Sequence, residues 1–91
     1  MSMKLEEIEK KRKRLIFRSW HRGTKEMDLL MGTFADRNVH DMGADEIEQY
    51  DEMLNCSDPD LYNWISGRET PPANQMSAVL EKFLAHKFTE A

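Results

Sequence analysis

The segment Arg22-Gly23-Thr24-Lys25-Glu26 combines side chains that can bind a charged group with a backbone that can turn sharply. Arg22 presents a planar fork of N–H donors that suits a carboxylate or a phosphate. Gly23 can adopt a positive φ, which ends one helix and lets another backbone approach closely. Thr24 suits the N-cap of the next helix, and Glu26 suits its first turn. We therefore predict a corner between two helices, where Arg22 and Glu26 either bind a partner or pair with each other.

A row of cations leads to this corner. Residues 1–25 hold nine Lys/Arg and three Glu, a net charge of +6, whereas residues 26–91 hold four Lys/Arg and fourteen Asp/Glu, a net charge of -10. Such a basic segment suits an anionic ligand, a nucleic acid or an acidic protein surface, although a solvated helix face is the commonest alternative. Four of the cations are spaced at i, i+3, i+7 and i+11, which places them on one side of a helix. We call them the basic ridge: Lys11, Arg14, Arg18 and Arg22.

The hydrophobic pattern predicts an all-α fold, a compact five-helix bundle that forms a single domain over residues 1–91. The predicted helices cover residues 2–21, 24–37, 45–55, 57–67 and 73–88, and residues 1–10 are expected to fray. Residues 38–43 are predicted as a loop. Gly32 predicts a close crossing between helices, and Trp20 is expected to contact the core in preference to a partner.

Two of these helices carry distinct inward-facing stripes. The first helix is expected to face the core with Leu5, Ile8, Leu15 and Ile16, and Phe17 lies off this stripe. The prolines at 71 and 72 are expected to open the last helix. Its predicted inner face consists of Met76, Val79, Leu80, Phe83, Leu84 and Phe88.

The sequence shows no signature of catalysis. The three histidines and the single Cys56 lack metal-ligand spacing, and there is no phosphate loop or nucleophile elbow. A lone cysteine allows no internal disulfide and favours a reducing compartment. The charged first twenty residues predict neither a signal peptide nor a membrane span. These observations predict a small helical binding module that is not an enzyme and binds no metal.

Two blocks of sequence resemble the succinate dehydrogenase assembly factors, the small flavinators that help attach FAD covalently to flavoproteins. The first runs Arg14-Leu15-x-x-Arg18-Ser19-x-x-Arg22-Gly23-x-x-Glu26-x-Asp28, and the second joins Tyr50-x-x-Met53-Leu54 to Asp58-Pro59-Asp60-Leu61-x-x-Trp64. The resemblance implies a chaperone-like protein that binds the flavoprotein subunit of succinate dehydrogenase or fumarate reductase and promotes bonding between a histidine of that subunit and the 8α carbon of FAD. FAD would belong to the client, and no cofactor is expected in this chain.

The resemblance also implies where the partner binds. It points to Arg22, Gly23 and Glu26, and we extend the predicted partner-binding set with Asp28 and the rest of the basic ridge, Arg18, Arg14 and Lys11. The absence of a recognisable transit peptide favours a bacterial cytoplasmic protein. The alternative hypothesis is a small nucleic-acid-binding or adaptor module that uses the basic first helix, although no later helix offers a basic reading face.

Overall fold

The computed structural model describes residues 4–86 and contains five α-helices, with no strand among those residues. They are α1 (Leu5–Trp20), α2 (Lys25–Asn38), α3 (Ala44–Met53), α4 (Asp58–Ile65) and α5 (Ala78–Leu84). Two 3-10 turns, Val39–Asp41 and Ala73–Gln75, precede α3 and α5. The prediction of an all-α five-helix fold is confirmed. The predicted fraying of the first residues stays a prediction, and residues 1–3 lie outside the described part.

Hydroxyl side chains cap three of the helices at their amino ends. Thr24 Oγ1 accepts the N–H of Met27 at 3.2 Å, which starts α2 as predicted. Ser57 Oγ caps α4 in the same way, and Gly67 follows that helix with a φ of 80°. Local cap chemistry therefore sets where these helices begin.

The predicted start of the last helix is wrong. Residues Ala73–Gln75 form a separate 3-10 turn, and α5 begins only after Ser77, whose Oγ accepts the N–H of Leu80 at 3.0 Å. Met76 between the turn and α5 is extended and 39% exposed, so its predicted place in the core is also wrong. Phe88, the predicted last inward residue, lies outside the described residues.

The core draws buried side chains from all five helices, including Leu15, Phe34, Tyr50, Leu61 and Phe83. Two further core residues, Val39 and Met42, come from the segment predicted as a loop. The predicted inward position of Leu5 is wrong, because the first turn of α1 projects into solvent and leaves this side chain 72% exposed.

Helices α1 and α2 cross closely at Gly32. A β-carbon on Gly32 would stand 2.2 Å from Cδ2 of Trp20, so the indole ring lies directly on the α2 backbone. The indole N–H donates to Asp36 Oδ1 at 3.2 Å. The predicted close crossing is confirmed, and Trp20 is half-buried within it. This crossing fixes the two helices that flank the Arg22-Gly23 corner.

Candidate partner-binding site

The corner between α1 and α2 turns at Gly23, which has a φ of 118°. Apart from the two adjacent residues, no part of residues 4–86 lies within 4 Å of the point where a β-carbon would stand, so the backbone is open to a partner on that side. Asp28 braces the turn from within α2. Its Oδ1 accepts the N–H of Arg22 at 2.5 Å and the N–H of Gly23 at 3.2 Å. The predicted positive φ is confirmed, and the corner is held in one geometry while its outer side stays free.

The Arg22 guanidinium is engaged by the connection between α3 and α4, residues 54–57. Its Nε donates to Asp58 Oδ1 at 2.9 Å, and its two terminal nitrogens donate to the carbonyl oxygens of Leu54 and Cys56 at 2.7 and 2.9 Å. The side chain is only 12% exposed. Glu26 is exposed and is not the partner of Arg22. Arg22 therefore joins the corner to the start of α4, and Glu26 is a charged side chain that the corner presents to solvent, beside the exposed Lys25.

The basic ridge is largely neutralised inside the fold. Lys11 Nζ lies 3.4 Å from Asp51 Oδ2, and Arg18 Nη1 lies 2.6 Å from the other oxygen of the same carboxylate. Arg18 also donates to Asn55 Oδ1 at 3.2 Å. Arg14 is exposed and forms no ion pair with any residue between 4 and 86. Of the four ridge cations, Arg14 is thus the one that the fold leaves available.

A shallow groove lined in part by Trp20, His21 and Leu29 runs beside Gly23. The His21 ring stacks on Phe17, with centroids 4.0 Å apart and an angle of 18° between the ring planes. The Phe17 side chain is 62% exposed. The prediction did not include Phe17 and His21 in the site. The sequence did contain one signal for this surface, because Phe17 is an aromatic residue that lies off the apolar stripe of its helix.

The single cysteine, Cys56, lacks the features of an activated nucleophile. Burial raises the pKa of the Cys56 thiol, and the nearby Asp60 carboxylate adds to this shift, which is opposite to the shift that activates a nucleophile. No group of three or more His, Cys, Asp or Glu side chains within residues 4–86 is placed to hold a metal ion. None of the helices in this range has both the length and the apolar character needed to cross a bilayer.

The corner and both resembling blocks lie within residues 13–87, which match the family model described as the flavinator of succinate dehydrogenase. The chain belongs to this family. A relative from Dictyostelium discoideum, named succinate dehydrogenase assembly factor 2, mitochondrial, is 38% identical over 82 residues, which are 90% of this chain and 58% of that protein. The FAD assembly factor SdhE of Acetobacter pasteurianus is 36% identical over 74 residues, 81% of this chain and 68% of the relative.

A third flavinator relative, succinate dehydrogenase assembly factor 2 of Saccharomyces cerevisiae strain YJM789, is 46% identical over 59 residues. The match covers 65% of this chain but only 36% of the yeast protein. This chain therefore spans between about one third and two thirds of the length of these three relatives.

Proposed function

We propose that this protein is an assembly factor that binds the flavoprotein subunit of succinate dehydrogenase and promotes covalent attachment of FAD to it. The observation that carries the proposal is the family match over residues 13–87, which includes the Gly23 corner. The names of the relatives support the same function, since they refer to succinate dehydrogenase assembly and to FAD assembly. The local geometry fits a binding role, because Asp28 holds the turn by hydrogen bonds and the backbone of Gly23 is open to solvent on its outer side.

In this proposal the factor acts by positioning the client. The open side of Gly23 admits a segment of client backbone, and the exposed Glu26 carboxylate accepts hydrogen bonds from client donors. Asp28 and Arg22 hold the corner in place from behind. The reacting histidine and the 8α carbon of FAD both belong to the client. Holding them in a reactive geometry accelerates bond formation without any reacting group from the factor, which is therefore not an enzyme.

We assign the flavin to the client. Arg22 is the corner cation best suited to a pyrophosphate, but its N–H groups already bind Asp58 and two backbone carbonyl oxygens. This engagement of Arg22 supports the proposal that the client, and not the corner, holds FAD. Fumarate reductase is a second proposed client. A bacterial cytoplasmic location is also part of the proposal; the Acetobacter relative supports it, and the relatives named as mitochondrial do not.

A reconstitution tests the proposed function. The flavoprotein subunit, produced without any assembly factor, is incubated with FAD in the presence and absence of this protein. Covalent flavin is then measured as fluorescence of the denatured subunit on a gel. We expect this protein to raise the rate of covalent attachment severalfold, and a subunit lacking its FAD-linking histidine serves as the blank. Equal rates with and without the protein would contradict the proposal.

A further inference from the structure

The solvent side of α1 carries cations that no carboxylate among residues 4–86 neutralises. Lys10, Lys13 and Arg14 are all exposed, and none of them forms an ion pair or a side-chain hydrogen bond within residues 4–86. The other cations of the helix differ from these, because each has a carboxylate partner: Lys11 and Arg18 with Asp51, and Arg12 with Glu9. Helix α1 thus has one set of cations that form ion pairs within the fold and a second, exposed set that forms none within residues 4–86.

An exposed aromatic pair lies on the same outer side. Phe17 follows Lys10, Lys13 and Arg14 at spacings of seven, four and three residues, so the four side chains share one stripe of the helix. The Phe17 ring is fixed by its stacking on His21, whose Nδ1 lies 2.7 Å from the Phe17 carbonyl oxygen. We call this surface the Phe17 face: Lys10, Lys13, Arg14, Phe17 and His21. Glu6 lies at its amino-terminal end, and Gly23 lies two residues beyond its other end.

We propose that the Phe17 face docks against an acidic surface patch of the flavoprotein subunit, with the Phe17 ring seated in an apolar contact at its centre. The proposal rests on the proposed function and adds the surface by which the client is found. Its basis is charge complementarity. Residues 26–91 carry a net charge of -10 and disfavour an acidic surface, whereas the cations of the Phe17 face attract one. Docking there brings the open side of Gly23 to the client.

The aromatic ring supplies the short-range part of the interaction. A rigid, exposed aromatic ring loses little conformational entropy on binding, and aromatic residues, Phe included, are enriched at protein interfaces. The lysines act at longer range, by raising the rate of encounter. A nucleic acid suits this face less well, since duplex binding depends on neutralising many phosphates and the face offers three Lys/Arg cations.

Binding kinetics with the FAD-free flavoprotein subunit test the inference. The variants are Phe17→Ala and the double variant Lys10→Gln/Lys13→Gln. The matched control is Arg68→Gln/Lys82→Gln, which removes the same charge from exposed positions outside α1. We expect Phe17→Ala to weaken binding about tenfold or more through faster dissociation. The lysine variant should slow association by about threefold or more at low salt and by less at high salt, with the control close to the parent.

Each alternative outcome has a separate meaning, provided that thermal melts show folded variants. If the parent binds the subunit and both variants bind as the parent does, the Phe17 face is not the docking surface and the proposed function still stands. Equal weakening by the control variant would assign the effect to net charge and overturn the inference. If the parent does not bind the subunit at all, the proposed function itself fails. If the protein instead bound a short DNA or RNA duplex, and this binding depended on Lys10 and Lys13, the inference about the Phe17 face would also be overturned.

Discussion

Arg22 stabilises the fold in a way that its place in a binding motif does not suggest. Its guanidinium links the corner to Asp58 and to the carbonyl oxygens of Leu54 and Cys56 through three hydrogen bonds. Hydrogen bonds to a charged group that is mostly shielded from water are among the stronger side-chain interactions. The position of the corner relative to α4 therefore depends on this one side chain.

Arg22→Ala should lower the free energy of unfolding by about 3 kcal/mol or more, because it leaves a half-buried carboxylate and two carbonyl oxygens without their partner. The free energy of unfolding of Arg22→Lys should lie between those of the parent and Arg22→Ala, since an ammonium keeps the charge but cannot reproduce the planar set of N–H donors. Urea unfolding measures both. The control is Arg14→Ala, an exposed change expected to stay within about 0.5 kcal/mol of the parent. Similar losses for Arg22→Ala and Arg14→Ala would contradict the structural role of Arg22.

The buried phenol of Tyr50 should make the free energy of unfolding depend on pH in the alkaline range. Its hydroxyl lies 2.6 Å from Ser19 Oγ in the core, and burial raises the pKa of the phenol above its ordinary value. Because the pKa is higher in the folded state, the stabilising contribution is complete below about pH 10 and is lost as the pH rises toward the folded pKa. Unfolding free energy should therefore fall steeply above about pH 10.

Tyr50→Phe should remove much of this alkaline loss. At pH 8 the variant should be less stable by about 1 kcal/mol, the usual worth of one hydrogen bond, while Ser19 keeps its bond to the Leu15 carbonyl oxygen at 2.7 Å. Urea unfolding of both proteins at several pH values between 8 and 11 makes the comparison. An unchanged slope of stability against pH in Tyr50→Phe would show that another group causes the loss.

At the scale of the elements, the α1–α2 crossing depends on the missing side chain of Gly32. Gly32→Ala adds a carbon where the Trp20 ring lies, so it should destabilise the fold by about 1–3 kcal/mol even though alanine is the better helix former. The cost should be smaller in a Trp20→Leu background, where the ring is absent. A double-mutant cycle by urea unfolding measures this coupling. Additive effects of the two substitutions would contradict a direct contact.

Local signals predicted the elements well where a cap residue decides the helix start. Thr24 and Ser57 were recognisable because each is followed by a suitable first turn. The start of α5 was missed because the prolines at 71 and 72 were taken as its opening, whereas Ser77 caps it. Val39 and Met42 were missed as core residues because a three-residue turn has too short a pattern to show periodicity.

The partners of the basic ridge could not be predicted from local sequence. Helical spacing places Lys11 and Arg18 on one side of α1, but it does not tell which helix will cover that side. Asp51, which neutralises both, lies 33 residues beyond Arg18. The prediction that ridge cations contact a partner therefore stays untested, and for Lys11 and Arg18 the structure supplies a competing role within the fold.

For the whole molecule, the opposite charges of the two parts of the chain pair with each other within the fold. Links from α1 and the corner to α3 and α4 use part of the positive charge of residues 1–25. The outward remainder is concentrated on the Phe17 face, next to the open side of Gly23. Sequence predicted the fold class and the family, but which side of α1 faces outward follows only from packing.

The most direct test of the central claim is covalent flavinylation of the client by Gly23→Leu, compared with Gly67→Leu. Both glycines have a positive φ, 118° and 80°, and in the described part of the chain no atom beyond the adjacent residues lies within 4 Å of where either β-carbon would stand. Each substitution should therefore cost a backbone strain of about 1–3 kcal/mol, larger at Gly23 because its φ lies farther from the left-handed helical region, and leave a cooperative thermal melt. The account predicts full flavinylation with Gly67→Leu and almost none with Gly23→Leu. Equal flavinylation by the two folded variants would show that the corner is only structural and would contradict the account.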